Sequence, residues 1–218
     1  MSFPIEIIDR LRQCRVVAGF SVDHVDHAVP IAEALLAGGI DAIELTLRTD
    51  AGIDAVKAIC QQVPDMLVGV GTILTPDAAA AVAQAGAAFG VAPGLNRRVI
   101  EGAKDAGLPF APGIMTPSEL ETAIESDCRF VKFFPAEASG GVTFLKSLAA
   151  PYKHLDIEYF PLGGVCVDNM LDYLRMPEVT AVGGSWIVNK QMVENGDWAG
   201  LQSRSAEVVN ALKTGGER

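Results

Sequence analysis

This sequence predicts an α/β fold, a (β/α)8 barrel of the TIM type with an extra N-terminal helix. Short apolar runs alternate with helical periodicity eight times along 218 residues, the pattern of parallel strands joined by crossover helices. No Gly-x-Gly-x-x-Gly follows the first strand, which counts against an open dinucleotide-binding sheet. No linker, low-complexity run or charge block interrupts the repeat, so residues 1–218 read as a single barrel domain.

Residues 5–14 set Ile7, Ile8, Leu11 and Cys14 at helical spacing, a leading helix that caps the fold. Residues 15–21 read as the first strand, and residues 26–38 as an amphipathic helix stopped by Gly38-Gly39. The unit then recurs. Strand 40–45 precedes helix 51–63, strand 66–70 precedes helix 75–85, and strand 88–91 precedes helix 97–106. Strand 108–111 leads to helix 116–125, and strand 130–134 to helix 142–148. Strand 157–160 leads to helix 167–174, and strand 179–182 to a last helix over 198–212. Residues 214–218 form a short tail expected to fray.

Half of the residues are hydrophobic, a fifth are charged, and the formal net charge is −10. An acidic surface argues against nucleic acid and anionic membrane as partners, so an anionic ligand needs a local site. Cys14, Cys60, Cys128 and Cys166 form no close pair and read as reduced thiols packed as small hydrophobes. The N-terminus has no apolar signal core, and no apolar run approaches the ~20 residues of a membrane span. A soluble, cytoplasmic protein is expected.

Chemistry in such barrels gathers at the C-terminal strand ends. The sixth strand reads Phe130-Val131-Lys132-Phe133-Phe134, with Lys132 on the face of Phe130 and Phe134. Apolar surroundings disfavour the ammonium, and the neutral amine is a nucleophile toward carbonyl carbon. A lysine guarding an exposed edge strand is the plainer alternative. Glu44, Thr46 and Arg48 share a face of the second strand's extension: a desolvated carboxylate able to shuttle protons and a clamp for a substrate carboxylate. A surface ion pair would explain them equally. Thr72, after the third strand, offers a hydroxyl to the same carboxylate or serves a turn. Ala92-Pro93-Gly94 and Ala111-Pro112-Gly113 read as sharp exits of the fourth and fifth strands.

Gly163-Gly164 and Gly183-Gly184-Ser185 close the last two strands, where these barrels commonly bind phosphate. Glycine lets backbone N–H groups approach an anion, and a following helix start would add its positive pole. Two flexible turns are the alternative. His24 and His27 lack the i, i+4 spacing of a helical metal pair, and His154 lies before the seventh strand, so no metal site is expected.

These motifs, in order, resemble the 2-keto-3-deoxy-6-phosphogluconate (KDPG) / 4-hydroxy-2-oxoglutarate (KHG) aldolase family over nearly the whole chain. Ala37-Gly38-Gly39, Glu44-Leu45-Thr46-Leu47-Arg48-Thr49, Gly71-Thr72-Ile73-Leu74 and Pro93-Gly94-Leu95 carry the first half. Lys132-Phe133-Phe134-Pro135-Ala136-Glu137, Pro161-Leu162-Gly163-Gly164 and Gly183-Gly184-Ser185-Trp186 carry the second.

The resemblance implies a cofactor-free class I aldolase, a homotrimer, cleaving KDPG to pyruvate and glyceraldehyde 3-phosphate. It implies that Lys132 is the Schiff-base lysine and Glu44 the general acid/base. Arg48 and Thr72 would hold the pyruvate carboxylate, Phe134 would pack beside the imine, and Pro93 would line the pocket. Gly163, Gly164, Gly184 and Ser185 would surround the phosphate. Two departures from the family pattern, Leu162 for a usual threonine and Ala18-Gly19-Phe20 for Pro-Val-Ile, are expected to line one mouth. They leave open a related substrate, 4-hydroxy-2-oxoglutarate or the 6-phosphogalactonate epimer. A non-catalytic barrel sensing a phosphorylated metabolite is the alternative from another class.

Overall fold

The computed structural model describes residues 3–215. Helix α1 (Ile5–Cys14) precedes strand β1 (Val16–Phe20). Helix α2 (Ala28–Ala37), strand β2 (Ala42–Thr46), α3 (Gly52–Gln62), β3 (Leu67–Gly71), α4 (Pro76–Gln84), β4 (Phe89–Val91) and α5 (Arg97–Asp105) follow in alternation. Next come β5 (Phe110–Ala111), β6 (Gly113–Ile114), α6 (Pro117–Glu125), β7 (Phe130–Phe133), α7 (Gly141–Ala149) and β8 (Glu158–Pro161). The chain ends with α8 (Met170–Leu174), β9 (Val182–Gly184), α9 (Lys190–Glu194) and α10 (Trp198–Gly215).

All strand pairs are parallel, in two ladders: β5-β4-β3-β2-β1-β9 and β6-β7-β8. β5 and β6 are halves of one barrel strand interrupted at Pro112, and bridges Tyr159–Val179 and Leu162–Gly183 join β8 to the β9 side. The two ladders therefore close into the expected eight-stranded barrel. Pro112 has no N–H to give, but its carbonyl accepts from Lys132 at 2.9 Å, so pairing toward β7 survives the break.

Sequence sets which residues face in. Val17, Ala42, Leu67, Phe89, Val91, Ala111, Phe130, Phe160 and Ala181 form the interior cluster, while Ile43, Leu45, Val68, Val70, Val131 and Phe133 face the helix layer. The alternation expected around Lys132 is thus the observed one. Leu11 of α1 joins the interior cluster and stoppers its N-terminal end, with Phe3 against Phe130 at 4.6 Å between ring centroids.

Local chemistry sets the helix starts. Thr75 accepts from the Ala78 N–H ahead of Pro76, and Thr116 and Glu119 form a reciprocal capping box ahead of Pro117. Gly38 serves packing: a Cβ there would lie 2.4 Å from Ser205 Cβ and 2.6 Å from the Gln202 carbonyl oxygen, so only glycine lets α10 close the helical ring against α2. All four cysteines are free, and burial pushes the Cys14 thiol up to about 12 and the Cys128 thiol up to about 11.

Several expectations shift. The region of 26–38 opens as a 3-10 turn, Val25–His27, before α2. The Ala111-Pro112-Gly113 exit is overturned, because the chain continues as β6; a Cβ on Gly113 would lie 2.3 Å from the Pro93 carbonyl carbon, a close approach glycine permits. The eighth strand begins at Val182 rather than 179, because its neighbour β1 begins at Val16, directly opposite. Helix 167–174 starts only at Met170, since the Asn169 side chain holds the Cys166 N–H in a turn. Helix 142–148 runs over Gly141–Ala149 and continues as a 3-10 segment, Ala150–Leu155. α9 is unanticipated. Thr214 and Gly215 of the tail belong to α10; residues 216–218, and Met1 and Ser2 at the other end, lie outside the described residues.

Leu11→Ala should lower stability by about 2–5 kcal/mol, the cost of a buried cavity, in chemical denaturation followed by circular dichroism.

Candidate active site

A cavity of about 310 Å³ opens at the C-terminal end of the barrel, and all ten residues singled out from sequence line it: Glu44, Arg48, Thr72, Pro93, Lys132, Phe134, Gly163, Gly164, Gly184 and Ser185.

At its base, β7 presents Lys132 and β2 presents Glu44, 4% and 2% exposed. Lys132 Nζ donates to Glu44 Oε1 at 2.8 Å and lies 5.1 Å from the Phe134 ring centroid. The amine is therefore not in purely apolar surroundings, as the sequence alone suggests: a carboxylate compensates its charge. A small neighbour makes this contact possible: a Cβ on Gly71 would lie 1.9 Å from Glu44 Oε1. The next inward layer holds Val17, Ala42 and Phe130, which keep water from beneath the pair.

One side of the cavity carries Arg48 and Thr72. Arg48 is exposed and makes no ion pair with any described residue. Thr72 has φ +63°, a left-handed conformation unfavourable for a β-branched residue. Strain of this kind concentrates where a side chain must be aimed. Thr46 is committed elsewhere, donating to the Phe20 carbonyl at 3.2 Å.

The opposite side is built from the β8 and β9 ends. Gly163 and Gly164 have φ +92° and +87°, conformations open to glycine. A Cβ on Gly163 would lie 3.0 Å from the Phe134 ring, and one on Gly184 would lie 2.3 Å from the Trp186 ring. Among the described residues, no protein acceptor takes the N–H groups of Gly164, Val165, Ser185 or Trp186. Unpaired amides on a concave wall suit an anion. The helix start expected after each Gly-Gly pair is absent, because α8 begins at Met170 and α9 at Lys190. Backbone amides alone supply the positive edge.

Leu162, Gly19 and Phe20 line the cavity, whereas Ala18 belongs to the outer cluster facing the helices. Ser21, Val165 and Trp186 also line it, and sequence reading did not select them as site residues. Ser21 and Trp186 each lie just past the C-terminal end of a barrel strand, the positional signal that could have found them. His24 and His27 pack edge to face at 5.6 Å outside this cavity's lining, and His154 lies in the 3-10 segment before β8.

A family model described as KDPG and KHG aldolase matches residues 7–203. The chain belongs to that family. It is 37% identical over 208 residues to the 2-dehydro-3-deoxy-phosphogluconate aldolase of Haemophilus influenzae, covering 95% of this chain and 97% of that protein. It is 40% identical over 198 residues to the KHG/KDPG aldolase of Escherichia coli, covering 91% and 92%. Among solved structures, the KDPG aldolase of Legionella pneumophila, with pyruvate captured at low pH as a covalent carbinolamine intermediate, matches with a TM-score of 0.87 and 34% identity over 92% of this chain and 97% of that one. The family match and the structural match thus both extend over most of this chain's barrel.

In this family member the buried pair is also a stability element. Glu44→Ala should cost about 3–5 kcal/mol by stranding a buried ammonium, whereas Glu44→Leu combined with Lys132→Met should recover most of that loss. Urea unfolding of both variants measures the difference.

Proposed function

We propose that this chain is a class I aldolase, a carbon–carbon lyase that reversibly cleaves 2-keto-3-deoxy-6-phosphogluconate to pyruvate and glyceraldehyde 3-phosphate. The observation that carries the proposal is the buried 2.8 Å contact between Lys132 and Glu44 at the base of the cavity. On either side lie the ends a phosphorylated 2-keto acid requires: a guanidinium and a hydroxyl for its carboxylate, and unpaired amides for its phosphate.

Glu44 takes the proton from the Lys132 ammonium, and Nζ attacks the C2 ketone to give a carbinolamine. Glu44 returns that proton to the departing hydroxyl, so water leaves and a protonated imine remains. The iminium is the electron sink. Glu44, directly or through a water, removes the C4 hydroxyl proton; the C3–C4 bond breaks, its electrons enter the enamine, and the aldehyde departs. Protonation at C3 and hydrolysis then release pyruvate and restore Lys132. Arg48 and Thr72 hold the carboxylate so that C2 faces Nζ, and Phe134 and Pro93 pack against the planar imine. Gly163, Gly164, Gly184 and Ser185 hold the phosphate at the far end. No cofactor enters this scheme.

The wider setting is part of the same proposal. Residues 1–218 form one barrel domain that works as a homotrimer in the cytoplasm, with no nucleic acid or membrane as partner. Exposed Leu74, Met115, Phe144 and Val167 supply apolar surface for self-association. The net charge of −10 disfavours anionic polymers, and no helix among the described residues is long and apolar enough to cross a membrane.

A second substrate reading rests on Leu162. Its side chain packs where a Cβ on Gly183 would come within 2.8 Å, giving the middle of the cavity an apolar wall where a hydroxyl would discriminate among hydroxylated substrates. This favours tolerance of 4-hydroxy-2-oxoglutarate or the 6-phosphogalactonate epimer alongside KDPG.

Two experiments test the function. Borohydride reduction in the presence of pyruvate should attach one three-carbon adduct, found by peptide mass spectrometry on Lys132; an adduct elsewhere, or none, would overturn the assignment. Ser185→Asp should raise KM for the phosphorylated substrate at least about tenfold while changing pyruvate C3 proton exchange less than about twofold, because the introduced carboxylate repels only the phosphate.

A further inference from the structure

Beyond the cavity wall, a second layer of contacts fixes the shape of the turn at Gly163-Gly164. Glu137 lies five residues after Lys132, past the end of β7, and does not line the cavity. Its N–H donates to the Gly163 carbonyl at 2.9 Å, and the Ala136 N–H donates to the Leu162 carbonyl at 2.7 Å. The Glu137 stem occupies the space beside Gly164: a Cβ on that glycine would lie 2.6 Å from Glu137 Cβ and 2.8 Å from Cγ. The left-handed conformation of Gly164 is thus packed directly on the glutamate.

Two features hold that stem in place. Glu137 Oε1 accepts from the Tyr173 hydroxyl at 2.5 Å, and Tyr173, on α8, is fully buried. The carboxylate also lies at the start of the nine-residue helix α7, where a Cβ on Gly141 would be 3.3 Å from Oε1 and the helix dipole favours negative charge. The Tyr173 hydroxyl has no other hydrogen-bond partner among the described residues, and burial, with the Glu137 hydrogen bond, pushes the phenol well above the usual range. The phenol is kept as a donor aimed at one acceptor. From the other end of the turn, Asn169 Nδ2 donates to the Gly164 carbonyl at 3.2 Å while its Oδ1 accepts from the Cys166 N–H at 2.8 Å.

We infer that Glu137 and Tyr173 are a positioning pair that keeps the Gly163-Gly164 turn in its anion-receiving shape and couples it mechanically to the strand bearing Lys132. The inference rests on the phosphate reading of that turn. Glu137 is exposed, so losing the Tyr173 hydroxyl leaves a carboxylate that water can solvate rather than a buried orphan. Deleting that hydroxyl should loosen the turn while leaving the fold in place.

The test compares wild type with Tyr173→Phe, Glu137→Ala and Glu137→Gln in three readouts: KM and kcat for the phosphorylated keto acid, competitive inhibition by inorganic phosphate, and pyruvate C3 proton exchange. Tyr173→Phe and Glu137→Ala should raise KM and the phosphate inhibition constant together by about five- to tenfold, with kcat and proton exchange within about twofold. Glu137→Gln, which keeps an oxygen acceptor for the phenol, should recover most of the affinity. If wild type is inhibited by phosphate but the variants keep its inhibition constant, or lose exchange and affinity in equal measure, the positioning role is overturned while the phosphate site stands. If phosphate does not compete in wild type, the phosphate reading fails and takes this inference with it.

Discussion

Lys132 and Glu44 face one another 2.8 Å apart inside a closed ring of strands, almost out of reach of water. Stripping solvent from two charges is costly, and only close contact with good geometry offsets the cost. The architecture around them meets that condition. Alternation along β7 turns Lys132 inward, the matching alternation along β2 turns Glu44 inward, and Gly71 leaves the carboxylate room. In the proposed reaction the same contact also connects stability with chemistry: the carboxylate that offsets the ammonium in the folded barrel is the group placed to take its proton when a ketone arrives.

The rest of the cavity consists of strand ends with different local solutions. β2 runs out into Arg48, β3 into a strained Thr72, and β8 and β9 into glycine turns shaped by aromatic and glutamate neighbours. In the proposed reading, the anion end relies on main-chain amides, not on lysine or arginine. An acidic protein can in this way attract an anion locally while its outer surface stays negative.

Most of the barrel was legible because each strand is short, apolar and followed by helical spacing, and because Thr75-Pro76 and Thr116-Pro117 announce their helices. Lys132 and Glu44 stood out as charges inside apolar strands, and the glycine pairs through composition at the expected ends. What escaped depends on tertiary partners. The late start of β9 is set by where β1 begins, the continuation past Pro112 by a neighbouring strand that needs only its carbonyl, and the delay of α8 by one asparagine side chain. Ala18 faces outward because inside and outside alternate along β1, a phase the sequence of five buried residues does not reveal. Trp186 was visible in its motif, but its place in the wall depends on how its ring folds back over Gly184.

Thr72 carries a consequence of its own. Holding a β-branched residue at φ +63° costs about 1–3 kcal/mol, a sizeable part of the margin by which a domain stays folded. Glycine would relieve the backbone there but would remove the hydroxyl. If the hydroxyl holds the substrate carboxylate as proposed, thermal robustness and grip on the ligand pull against each other at this position, and selection for a hardier barrel acts elsewhere around the third strand before it acts there.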